Sequence, residues 1–390
     1  MKVLRDDIEI PQGRFCELFG EQEIQDLKVG MDFRHPIYRR EVFLRFYEFH
    51  LKYRAHPGAV YYMIPYLVNK YGLDKEQQYW LTYINGCTQN ICTTWVIFQM
   101  FPDFKNITFD KFETWHRKYW QRLMFDIDRR YVKGKMVEQW QHYSNVLNGM
   151  TQQEFFEGYL ANTGDEHENF RRVWNKVKND FYRFGRLSTF SYLEYLRIIG
   201  LNIDCDQLFM FDLEGSKSHR NGMAKVLGRD DLEWKDGNEL FSGYTNEIIS
   251  WLEQEAENLL NEAKVRFKGR DFYRDVNYFT LESTFCCYKS WHRVNRRYPN
   301  VYNDMFFERI KTAESKGWED HGINFDVFWE ARRELLPKYL RLEDNPNDPT
   351  FAKGNLHPEK QNHYRITGQP IMMDKEWPCF KNDFNDKYYG

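Results

Sequence analysis

The sequence predicts a mainly α, multi-helical fold, and three observations carry that expectation. Apolar residues recur at spacings of three and four along most of the chain, helix-start signatures precede several of those runs, and strand-like alternation is scarce and short. In residues 38–53, YRREVFLRFYEFHLKY, the residues Val42, Phe43, Phe46, Tyr47, Phe49 and His50 form one broad apolar stripe. Asp74 and Gln77 have the spacing of a capping box and open EQQYWLTYINGCTQNICTTWVIFQMF, which Gly86 is expected to interrupt and Pro102 to close. A helix restarts near Thr108 to Asp110, and Thr151 with Glu154 forms a second capping box. Further helices are expected over 168–184, 189–199, 219–227, 238–263, 276–292, 302–314 and 324–338. After Pro337 the chain turns rich in Pro, Asn and Gly. The expected organisation is an N-terminal segment over 1–34, a helical body over 35–340 with a soft internal boundary near 145–165, and an irregular tail over 341–390.

Composition excludes several classes. Of 390 residues, 32 are Phe, 26 Tyr and 12 Trp, an aromatic share of 18% that disordered chains lack. Gly at 23 and Pro at 12, with no fixed period, exclude collagen-like and repeat architectures. No apolar run approaches the ~20 residues of a membrane span, so no membrane partner is expected. The first residues, MKVLRDDIEIPQGRF, have no apolar stretch of the kind a signal peptide needs. Seven scattered cysteines, Cys16, Cys87, Cys92, Cys205, Cys286, Cys287 and Cys379, form no CxxC, so neither a disulfide framework nor a zinc site is expected, and a reducing cytoplasmic compartment fits. The net charge of −3 leaves a nucleic-acid partner open, because clustered charge decides that.

Three segments have chemistry-bearing patterns. Leu213 to Gly228, LEGSKSHRNGMAKVLG, leads a polar loop into a helix, and a helix start with Ser hydroxyls makes a seat for an anion; an ordinary capped loop is the other reading. In Leu281 to Tyr302, Glu282, Cys286 and Lys289 recur at four and three and share one helix face. Lys264 to Arg297 holds nine Lys/Arg against three Asp/Glu, including Lys268, Arg270, Arg293, Arg296 and Arg297 beside Tyr298, a pattern that suits phosphates and stacked bases or else a solvated basic face. Lys111 to Lys135 is similarly basic around Trp115, Tyr119 and Trp120, aromatics that also suit a core. His50 and His56, six apart, would face different sides of one helix, so no metal pair is expected. Cys87 and Cys92 read as buried small apolar residues.

These segments, in this order, resemble a phage DNA-hypermodification family, the amino acid:DNA transferases or α-glutamyl/putrescinyl-thymine pyrophosphorylases, related to the helical domain of 5-hydroxymethyluracil DNA kinases. Tyr79 to Phe104 looks like the family's N-terminal helix ending in Phe-Pro; in Gly215 to Gly228, Ser218, Arg220, Asn221 and Gly222 are similar to its run of Gly, Ser, a small residue or Arg, Arg, Gly, Leu and Asn; Leu281, Glu282, Cys286, Tyr288, Lys289 and Arg293 echo a third signature. Cys287 stands where an acid usually follows, and Arg296-Arg297-Tyr298-Pro299 replaces a Gly-x-Gly-Arg-Pro run. The likeness covers roughly residues 35–315.

The resemblance implies a helical catalytic and DNA-binding domain related to helix-hairpin-helix DNA glycosylases. It implies transfer of a free amino acid, glycine, glutamate or similar, to phosphorylated 5-hydroxymethyluracil in double-stranded DNA, coupled to a DNA kinase and using no cofactor. Such chemistry needs a flipped base. It needs donors for the departing phosphate, expected from Gly215, Ser216, Ser218, Arg220 and Asn221, and a base at Glu282 or His219. Arg293 is expected on the amino acid carboxylate, Lys289 beside the reacting groups, and Arg296, Arg297, Tyr298, Lys268 and Arg270 on DNA. Cys286 is either a nucleophile for uracil C6 or structural. A glycosylase-like enzyme and a non-catalytic DNA-docking module are the rival readings.

Overall fold

The computed structural model describes residues 39–212, 217–233, 245–293, 301–336, 338 and 341–344, and the regular structure among them is entirely helical. In chain order the helices are α1 (Arg39–Lys52), α2 (His56–Tyr71), α3 (Lys75–Thr88), α4 (Ile91–Met100), α5 (Phe109–Tyr119), α6 (Met136–Leu147) and α7 (Gln152–Glu157). They continue as α8 (Glu166–Asp180), α9 (Arg186–Ile198), α10 (Ser218–Val226), α11 (Asn246–Arg266), α12 (Tyr278–Arg293), α13 (Val301–Glu314) and α14 (Asp326–Leu335). The expected N-terminal segment lies outside the described residues, as does the tail from 345 onward.

Local chemistry sets the helix starts. The Asp74 carboxylate accepts from the Gln77 N–H at 2.9 Å while the Gln77 side chain accepts from the Asp74 N–H, the capping box read from the sequence. Thr151 and Glu154 make the second one. Gly86, by contrast, does not interrupt its helix: α3 runs on to Thr88. The break comes where Gln89 turns left-handed and Asn90 caps α4 by accepting from the Thr93 N–H. Gly86 is there for space, because a Cβ would sit 3.0 Å from Tyr192 Cδ2 on α9.

Two hydrophobic clusters organise the molecule. The larger joins α2 to α9 with α13 and α14; the smaller joins α1, α10, α11 and most of α12. Helix α12 belongs to both, giving Phe279 to the first and Leu281, Phe285 and Tyr288 to the second. Helices α10 and α12 pack closely, and Gly222 lies so near Phe285 that a Cβ would stand 2.2 Å from its carbonyl oxygen. That glycine places the start of α10 against the polar face of α12.

Candidate active site

The polar face of α12 is the one its period predicts. Glu282 and Lys289 are buried and Cys286 is half-buried. Opposite them stands the first turn of α10: Ser218 accepts from Lys289 Nζ at 2.7 Å, and fully enclosed His219 brings Nδ1 to 3.7 Å from Glu282 Oε1. A third helix completes the group. Arg186, the first residue of α9 and 4% exposed, directs Nη2 to Glu282 Oε1 at 3.2 Å and to His219 Nδ1 at 3.3 Å.

Electrostatics fixes the protonation states. Burial pushes the His219 imidazole well below its usual range, and the charges of Arg186, Arg220 and Lys289 act the same way. His219 is therefore neutral at physiological pH. Burial pushes the Cys286 thiol up, outweighing the Lys289 ammonium, so the sulfur is a thiol and a poor nucleophile at rest. Glu194, on α9, is held well above the carboxylate range, first by burial and then by the Glu282 charge despite a Tyr61 hydrogen bond, so it is a neutral acid.

Several expectations meet a different geometry. Arg220 is wholly buried and its Nη1 donates to the carbonyls of Met210, at 3.3 Å, and Asp212, at 2.8 Å. These two hydrogen bonds tie the loop before α10 in place. Asn221 is buried in the same helix. Gly215, Ser216, Arg296, Arg297 and Tyr298 lie outside the described residues, as does the Arg293 side chain. Lys268 and Arg270 are exposed beyond the end of α11, Arg270 with Glu48 at 3.7 Å. Of the basic segment over 111–135, Trp115 is core, Tyr119 is half-buried and Trp120 is exposed.

His50 and His56 do not share one helix. The chain breaks between α1 and α2, and their rings come within 5.5 Å, centroid to centroid. His50 Nε2 lies 3.8 Å from Cys287 Sγ, and His56 Nδ1 3.0 Å from Ser283 Oγ on α12. Burial lowers His50 to about 4 and puts His56 well below its normal value, so both are neutral. Among the described residues no group of three or more His, Cys, Asp or Glu is arranged to hold a metal.

Sequence reasoning missed Arg186. The available signal was local: a cation at the first position of a helix opposes the helix dipole, and such a conflict marks a site with another purpose.

A buried carboxylate, a neutral imidazole and two cations thus gather where the starts of α9 and α10 meet the polar face of α12. The amino acid:DNA transferase family profile matches residues 60–298, which include every part of this cluster, and the chain belongs to that family. It is similar to the serinyltransferase of Salmonella phage ViI, with 31% identity over 279 residues, 70% of this chain and 66% of the relative. The chain thus spans just under two thirds of that relative's length. No solved structure matches it. No helix among the described residues is long and apolar enough to cross a membrane.

Proposed function

We propose that this protein is a transferase that replaces the phosphate, or pyrophosphate, of a phosphorylated 5-hydroxymethyluracil in phage DNA with the amine of a free amino acid. The observation that carries the reading is the contact of Glu282 with Arg186 and His219, one helical turn from Cys286 and two from the Lys289–Ser218 pair. Glu282 accepts a proton from the incoming ammonium group, freeing the nitrogen lone pair. That nitrogen attacks the exocyclic methylene carbon, the carbon–oxygen bond breaks, and phosphate leaves with the electron pair. Lys289, with the start of α10, neutralises the charge that develops on the leaving oxygens. His219, neutral and enclosed, donates rather than competes as a cation. The relative's name supports serine as the first amino acid to test. A DNA kinase that makes the phosphorylated base is the expected preceding step.

The sealed position of His219 beside Glu282 favours this over the docking-module reading, which needs its cations at the surface. The test is a duplex containing 5-phosphomethyl-deoxyuridine, incubated with all twenty amino acids and the protein, then digested and analysed by mass spectrometry. An aminoacyl-thymidine mass is expected, and Glu282→Gln should abolish it while DNA binding persists. An unchanged nucleoside with both the phosphate and the pyrophosphate ester overturns the proposal.

A further inference from the structure

Arg186 is under-used in the structure as it stands. A guanidinium has five N–H donors and keeps its charge at every accessible pH. Nη2 serves both Glu282 and His219. Nε and Nη1 are buried and meet no acceptor. His219 adds a third donor of the same kind. Its Nδ1 lies nearer to Arg186 Nη2, which can only donate, at 3.3 Å, than to Glu282 Oε1 at 3.7 Å, so Nδ1 accepts and the ring proton sits on Nε2, which is also buried without a partner. A native interior leaves few such groups unpaired, and several together point to something that binds there.

The deficit has a sign. All three unpaired groups are donors, Arg186, Arg220 and Lys289 all bear electrostatically on His219, and Glu282 is the carboxylate in contact with Arg186. What this place lacks is an oxyanion. The starts of α9 and α10 meet here as well, each with the partial positive charge of a helix N-terminus.

We infer that Arg186, with His219 Nε2–H, seats the α-carboxylate of the free amino acid while Glu282 receives its ammonium group. The inference rests on the transferase reading above. An amino acid zwitterion has its anion and cation on neighbouring groups; Arg186 and Glu282 present a cation and an anion in contact at 3.2 Å, in the complementary sense. The order along α12 then follows the chemistry. Glu282, Cys286 and Lys289 span about 10 Å of helix. The amino acid lies at the Glu282 end, the departing phosphate at the Lys289–Ser218 end, and the reacting carbon between them near Cys286. Arg186 thus becomes the residue that distinguishes amino acids from simple amines.

The experiment uses the full chain and the 5-phosphomethyl-deoxyuridine duplex. It compares the amino acid that the twenty-member mixture identifies with the amine left by its decarboxylation, ethanolamine where that amino acid is serine. The parent should use the amine about 100-fold less well in kcat/KM. Arg186→Met should raise KM for the amino acid about 100-fold, with kcat falling less than tenfold, so that the preference for amino acid over amine is lost; Arg186→Lys, which keeps the charge beside Glu282, should fall between. Inorganic phosphate separates the two possible oxyanions: it should inhibit parent and Arg186→Met equally. Loss of that inhibition with KM unchanged would assign the seat to the leaving phosphate and overturn the inference. Equal use of amino acid and amine by the parent overturns it without any variant. Absence of product from every amino acid instead sinks the transferase reading itself.

Discussion

Gly222→Ala is the substitution that best tests how the site is assembled. The added Cβ would lie 2.2 Å from the Phe285 carbonyl oxygen, 2.5 Å from its carbonyl carbon and 2.7 Å from its Cβ. A relaxed carbon–oxygen contact needs about 3.3 Å, so α10 and α12 must part by about 1 Å. The obstacle is backbone, which has no rotamer to escape into, so the overpacking cost lies near the top of the usual range, about 3 kcal/mol. Alanine returns about 1 kcal/mol of helix propensity, for a net loss of about 2 kcal/mol. For a chain of this size that lowers Tm by about 3 °C. The same parting pulls Ser218 off Lys289 and His219 away from Glu282, and a 1 Å misplacement of reacting groups costs about 100-fold in rate. Thermal denaturation by circular dichroism and the nucleoside mass assay measure the two effects. Gly134→Ala, whose Cβ meets nothing within 4 Å, is the control. A Gly222→Ala protein as stable as its parent would refute the packing argument, and one that is destabilised but fully active would refute the role given to the α10–α12 contact.

Two further predictions concern pH. His50 is neutral in the fold, with its pKa lowered to about 4, and takes a proton in the unfolded chain below 6.5. Its stabilising share is present above pH 6.5 and is lost as pH falls toward 4, amounting to about 3 kcal/mol at most. Urea midpoints of the parent should therefore fall relative to His50→Gln over that interval, and a constant difference between the two proteins would exclude this account. Glu194 works in the opposite direction: it is protonated in the fold and ionised in the unfolded chain above 4.5, so the folded state binds more protons and stability drops as pH rises. Glu194→Gln copies the neutral acid and should gain on the parent from pH 4.5 upward; a gain on acidification instead would show that Glu194 is ionised in the fold.

Interactions closed within one turn of helix were legible from the sequence. Asp74 with Gln77 and Thr151 with Glu154 each satisfy donors three residues away, so spacing alone located those starts. The common face of Glu282, Cys286 and Lys289 follows from the helical period in the same way. Longer-range partners were not legible. Gly86 reads as a helix breaker by propensity, yet the helix runs through it, and Tyr192, on another helix, occupies the space a side chain would need. His50 and His56 diverge on a single helix and meet only because the chain turns between two. Arg220 looks like an open cation in its loop, but the carbonyls of Met210 and Asp212 claim it once the loop folds back. Arg186 lies 96 residues from Glu282, and nothing in either segment names the other. The sequence by itself determined the helices, their caps and the composition of one polar helix face. The tertiary structure decided what that face meets, because two hydrophobic cores sharing α12 bring α9 and α10 to it, and burial there keeps His219 neutral and Cys286 a thiol.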